Sequence, residues 1–352
     1  MIPTTKTSGI GLTTVIWRAA VLCSSLLAIE SFAQSDYVSP KTLYGYPDLQ
    51  GVWNYASNTP LQRPEEFGEK EFLTPAEVAQ LKAEREAAIL ANTERTTGGG
   101  PPQQGVGGYN DFWVESAGLQ ENTRTSLIVY PKNGRFPPLA EGAVAQHSDA
   151  SGITEIPGER PVLYTVGGIA NDGPEDRGLS ERCLVGFNSG APIFPSLYNN
   201  NLQIFQNKDH VVVLTEMIHD ARIVPIGSRP PLNDDIRLWT GDSRGYYDGE
   251  TLVIETRNFN ALTGSFMEPR VAYGNSYNKA LTERFTRTSH DTVQYEFTLD
   301  DPSTFTDRVD VLIPMTKVAG QLYEYACHEG NYGLTNILRG ARVQEQNNAA
   351  SN

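Results

Sequence analysis

The chain reads as a mainly β protein with an antiparallel core, barrel-like or sandwich-like, an N-terminal arm and one or two short helices. Three observations lead there. Candidate strands follow one another as hairpins, without intervening helices, which argues against a parallel sheet. Their turns carry strong turn signals, such as Asp248-Gly249 in "GYYDGETLVIETRNF". In "TVQYEFTL", Val293, Tyr295, Phe297 and Leu299 fall on one face and Gln294, Glu296 and Thr298 on the other. That period of two describes a half-buried strand. With 352 residues and 39% hydrophobic content there is material for one large domain or two small ones.

Residues 1–33 have the layout of an export signal. Lys6 and Arg18 supply positive charge, Ala19 to Ile29 an apolar run, and Ser31 and Ala33 small residues at a cleavage site. The run is too short to span a bilayer, so no stable membrane insertion is expected once the signal is removed. An uncleaved anchor is the alternative. The sequence places the mature protein in the periplasm or outside the cell.

Residues 34–108 form the expected arm. "LTPAEVAQLKAEREAAILANTER" at 73–95 is its helix, with Thr74 as N-cap, Pro75 at the first position and Glu77 completing a capping box. Its apolar stripe of Val78, Leu81 and Ile89 is thin, which suits a surface helix. "TTGGGPPQQGVGG" at 96–108 marks a linker.

Residues 109–343 form the expected β-rich domain. A strand, a turn at Asn133-Gly134 and an extended segment fill 124–139. Hairpins fill 201–217, 245–259 and 281–299, and further strands are expected at 308–315 and 321–327. The stretch 140–200, rich in Gly, Pro, Asn and Asp, reads as long loops or a lid. A short helix with Asn331 as its cap is expected at about 332–341, and a disordered tail over 344–352.

The formal net charge of −14 makes nucleic acid and anionic membrane surfaces poor partners. A small-molecule ligand or substrate is the expected partner. Signal cleavage removes Cys23 and leaves Cys183 and Cys327. Two cysteines in an exported chain most simply form one disulfide, which would stabilise the fold by roughly 5 kcal/mol at most through loop closure. A reactive Cys327 beside His328, or two inert thiols, are the other readings.

No strong catalytic motif is present. "GDSRG" matches G-x-S-x-G around Ser243 in letters only, because a strand and not a helix follows it. His210 and His290 lie beside turn residues, and His147 sits in a loop. His219 and His328 stand where apolar strands give way to polar residues, each beside a carboxylate, Asp220 and Glu329. The four could form an acid–base set, a carboxylate holding each imidazole in one tautomer. His219, His328 and Glu216 are candidates for one divalent metal as cofactor. The plain alternative has these groups satisfied in ion pairs with Arg222. In "DDIRLWTGDSRGYY", Arg237 and Arg244 could clamp a carboxylate or carbonyl oxygen, with Trp239 and Tyr246 walling an apolar ligand. A salt-bridged strand pair explains the same pattern.

Gly51-x-Trp53 in "PDLQGVW" resembles the opening signature of lipocalins. That resemblance implies a Trp closing one end of a barrel and a cavity for an apolar ligand; an ordinary buried Trp is the alternative. Together "PDLQGVW", "RTSLIVYPKNGRFPPL", "EMIHDARIVPIGSRP", "WTGDSRGYYDGETLVIETRNF" and "YEYACHEGNYGLTNILRGAR" resemble a family of exported bacterial proteins, largely of unknown function. This implies export and a single β-rich domain and assigns no catalytic role. The functional expectation is an exported enzyme on a small, partly apolar organic substrate. It would work by His/carboxylate acid–base chemistry in a hydrolysis, elimination or isomerisation. The alternative is a non-catalytic, lipocalin-like binding protein.

Overall fold

Among the described residues, alternation of apolar and polar residues builds thirteen strands, and two α-helices accompany them. A computed structural model of the chain describes residues 37–97, 123–147, 171–268 and 271–351. The expected export signal, most of the Gly/Pro-rich linker and residues 148–170 of the loop-rich stretch lie outside these.

The elements run β1 (Gly51–Asn54), α1 (Pro75–Thr97), β2 (Ile128–Tyr130), β3 (Ala145–His147), β4 (Asn201–Gln206), β5 (His210–Thr215) and β6 (Ala221–Pro225). They continue with β7 (Asp242–Asp248), β8 (Thr251–Arg257), β9 (Phe266–Glu268), β10 (Val271–Tyr273), β11 (Ala280–Arg287), β12 (Thr292–Asp300), β13 (Val309–Val318) and α2 (Tyr332–Ser351). The main sheet has the order β6-β5-β4-β1-β13-β12-β11-β8-β7, with β2 also paired to β13. Its ladders are all antiparallel. A small sheet orders β3-β10-β9.

The mainly β, antiparallel expectation holds, and the hairpins turn where their dipeptides place them; Gly249 adopts φ 58° between β7 and β8. The main sheet is not a closed barrel. Its edges β6 and β7 meet at a single parallel bridge, Ile226–Gly245, among the described residues. Pro225 ends β6, and Pro230 and Pro231 follow, so N–H donors are missing at these positions; between them Gly227 N still donates to Gly245 O at 3.0 Å.

Residues of the expected arm do not stand apart from the sheet. β1 lies between β4 and β13. The helix α1 begins as the sequence indicates: Glu77 N donates to Thr74 Oγ1 at 3.3 Å, and Thr74 N to Glu77 Oε2 at 2.7 Å.

Two expectations near the C-terminus are corrected. Residues 321–327 form no strand, and Tyr323 is exposed. β13 already pairs with β12 on one side and with β1 and β2 on the other, so the preceding strand offers no edge to the alternating run. The expected disordered tail is helical as far as Ser351. "ARVQEQNNAAS" contains no Pro or Gly to stop a helix that Asn331 has started, its Oδ1 accepting from Leu334 N at 3.3 Å.

The core fills the inner face of the main sheet. Trp53, Phe285, Tyr295, Phe297 and Met315 are fully buried there, in phase with their strands. Trp53 Nε1 donates to Leu49 O at 2.8 Å. The Arg287 guanidinium lies 5.7 Å from the Trp53 ring centroid and donates to Asp48 O and His290 O, at 2.9 and 2.7 Å. The end of the sheet at the β11–β12 turn is thus sealed by an aromatic ring and a guanidinium with its donors satisfied.

Candidate functional site

Long segments cover the opposite end. Cys183 and Cys327 are disulfide-bonded, with 5.8 Å between their Cα atoms. The bond draws the segment after β13 onto the loop before β4. Asn331 Nδ2 adds a hydrogen bond to Glu181 O at 2.7 Å. Within the loop, the buried Arg177 pairs with Glu181 through Nε and Oε2 at 2.8 Å. Gly186 packs against Met217 so closely that a Cβ there would overlap the Met217 side chain. The wall of this end therefore rests on the β5–β6 turn.

Inside these segments lies a small pocket, open to solvent, with a cavity volume of about 60 Å³. Phe187, Phe194, Trp239, Phe266 and Met267 give it an apolar wall, and Lys279 also lines it. Lys279 immediately precedes β11 and is 6% exposed. Its Nζ donates to Ala191 O at 3.3 Å and stands 3.9 Å from the Phe259 ring centroid. Among the described residues it has no ion pair at salt-bridge distance. Burial pushes its pKa down to about 7, against the opposing charges of Asp301 and Glu283. Ser265 also lines the pocket. It is fully buried, and its Oγ meets no hydrogen-bond partner among the described residues.

Deeper in the core, Arg222 of β6 forms a bidentate pair with Glu283 of β11, joining strands far apart in the sheet order. Tyr295 Oη donates to Glu283 Oε1 at 2.7 Å and accepts from Ile193 N at 3.1 Å. Burial opposes the Arg222 charge, but the Glu283 carboxylate outweighs it and holds the guanidinium above its ordinary pKa. Burial, then Glu283, pushes the Tyr295 phenol well above its usual value.

Of the residues singled out in the sequence, Trp239 lines the pocket. Arg237 lies 4.0 Å from the Tyr277 ring centroid and donates to Tyr277 O at 2.9 Å. Arg244 pairs with Asp242 and donates to Ser243 O and Pro230 O. It faces away from the core, as does the exposed Tyr246, because Ser243 and Gly245 take the inward phase. Ser243 is buried and bonded to Thr256 Oγ1 at 2.9 Å, in line with its rejection as a nucleophile.

His219 is exposed, and its Nδ1 lies 3.0 Å from Tyr325 O. This contact and the disulfide bring the segment bearing His328 and Glu329, both exposed, beside the β5–β6 turn. Burial raises the pKa of Asp220, against the charges of Arg222 and His219 and a hydrogen bond from Ala221 N–H. Glu216 is buried and accepts from Asn201 Nδ2 at 2.7 Å. Among the described residues, no group of three or more His, Cys, Asp or Glu is placed to hold a metal ion.

Lys279, Glu283 and Ser265 were missed in the sequence. A signal existed for the first two: they share the parity of Leu281 and Phe285, the inward residues of β11. Nothing in the sequence marks Ser265.

Among the described residues no helix is long and apolar enough to cross a membrane. Neither the protein-family models nor the curated proteins searched contain a match to this chain.

Proposed function

We propose that this is an exported protein that takes a small, partly apolar organic molecule into the pocket between Trp239 and Lys279. The observation that carries the reading is the pocket itself: an aromatic wall with a buried amine and a buried hydroxyl, at the loop-covered end of a well-packed sheet. The Cys183–Cys327 disulfide supports an oxidising compartment, as the export signal expected at 1–33 would require.

A panel of small aromatic and aliphatic compounds, titrated against intrinsic fluorescence, tests this. At least one should quench the wild type, and Trp239→Ala should weaken its binding by about ten-fold or more, the loss of one well-packed aromatic contact. A panel without a binder, or binding indifferent to Trp239→Ala, would sink the pocket reading.

A second reading keeps the acid–base expectation. His219, Asp220, His328 and Glu329 would handle protons at the rim, and the His219–Tyr325 contact that gathers their two segments favours it. On that reading His219→Ala and His328→Ala abolish turnover and leave binding intact.

A further inference from the structure

We infer that Lys279 is a nucleophilic amine that captures a small aldehyde or ketone in the pocket as an imine, with Ser265 holding the carbonyl oxygen. This rests on the pocket being a binding site, as proposed above, and names the class of molecule it takes.

Three observations converge. Lys279 lines the pocket with one hydrogen bond, to Ala191 O, and an aromatic face beneath it. A lysine kept only for structure at such depth would be expected beside a carboxylate at salt-bridge distance, as Arg222 is beside Glu283. The second observation is Ser265, a residue of the same pocket lining whose fully buried Oγ has no partner among the described residues. A buried hydroxyl left unpaired costs stability, so a site that keeps one is suited to a ligand atom that pairs with it. A carbonyl oxygen accepts what this hydroxyl donates. Third, Phe187, Phe194, Trp239, Phe266 and Met267 line the same pocket, an apolar surface suited to the hydrocarbon part of a small aldehyde or ketone.

The chemistry balances without any further reagent. The neutral amine of Lys279 attacks the carbonyl carbon, and a C–N bond forms as the π pair moves to oxygen. A proton passes from nitrogen to that oxygen, giving a carbinolamine. The hydroxyl then takes a proton and leaves as water, the nitrogen loses its remaining proton, and a C=N bond replaces the C=O. Burial supplies the neutral amine at neutral pH. An ordinary lysine is deprotonated in about one molecule per thousand at pH 7.4, whereas a lysine of pKa about 7 is mostly neutral there.

The test uses the wild-type chain, with benzaldehyde as probe and cyanoborohydride to fix any imine, followed by peptide mapping. Lys279 should be labelled at least ten-fold faster than the exposed Lys132 and Lys208, with a rate that rises through pH 7 and then levels. Lys279→Met should lose the label, and Ser265→Ala should slow labelling several-fold. Quenching by benzaldehyde with Lys279 labelled no faster than Lys132 would overturn the imine and leave the pocket reading standing. Neither quenching nor label would overturn both. The wild-type map decides the matter even if a variant fails to fold.

Discussion

Arg222 and Lys279 are both buried cations of the same core, and the protein treats them in opposite ways. Arg222 meets Glu283 in a bidentate pair that Tyr295 completes. Lys279 meets a carbonyl and a ring. The first keeps its charge because the partner's charge outweighs the loss of hydration. For the second, burial outweighs the more distant Asp301 and Glu283, and the proton is lost near neutrality. A guanidinium presents a fixed fork that suits a permanent structural tie, and an amine gives up its proton when dehydrated. The comparison separates a cation that fastens the sheet from one that is free to react.

Removing one side of the tie should break the contrast most. Glu283→Gln leaves the Arg222 charge buried and uncompensated, and should cost about 3–5 kcal/mol in urea unfolding. Replacing both partners, as in Arg222→Met with Glu283→Met, should cost clearly less than the single change. Additive costs would show that the two are not coupled.

The opposite sign is expected at the other cation. The folded pKa of Lys279, about 7, lies below its ordinary value of 10.5. The folded chain therefore binds fewer protons than the unfolded chain between those values, and stability rises with pH across that window. Below pH 7 the full cost of dehydrating the charge is present. Lys279→Met should then stabilise the fold by on the order of 3 kcal/mol at pH 6, allowing for the lost bond to Ala191, and much less by pH 9. Unfolding curves at the two pH values check this; a pH-independent effect would show that Lys279 keeps its proton.

The smallest effect sharpens the role of the phenol. Tyr295→Phe leaves Ile193 N–H without its acceptor and Glu283 without one donor, which should cost about 1–2 kcal/mol. If Lys279 labelling is unchanged in this variant, the tie and the reactive amine are independent units.

Much of the fold was legible because its signals are local. Alternation in "TVQYEFTL" gives β12 its buried face, Asp248-Gly249 turns β7 into β8, and Thr74 with Glu77 starts α1. The two mistakes at 321–327 and 344–351 have a common cause. An alternating run becomes a strand only where an edge is free, and a polar run becomes helical when a cap precedes it and nothing stops it. The site was less legible. Trp239 could be named from its aromatic neighbourhood, yet Arg244 and Tyr246 followed the outward parity of β7, which the inward Ser243 and Gly245 reveal once the strand is located.

By itself the sequence indicated the hairpin strands at 201–217, 245–259 and 281–299 and the two helix starts, because each depends on neighbouring residues, and it offered the Cys183–Cys327 pairing as the simplest of three readings. It also carried, unread, the inward phase of Glu283 and Arg287 on β11 and of Lys279 just before it. Only the tertiary structure decided their different fates. Arg222 reaches Glu283 and not Lys279, Arg287 reaches the Trp53 ring and the carbonyls beside it, and Lys279 reaches a pocket wall. Burial and distance to the nearest countercharge set the state of an ionisable group, and both are fixed by residues far away in the chain.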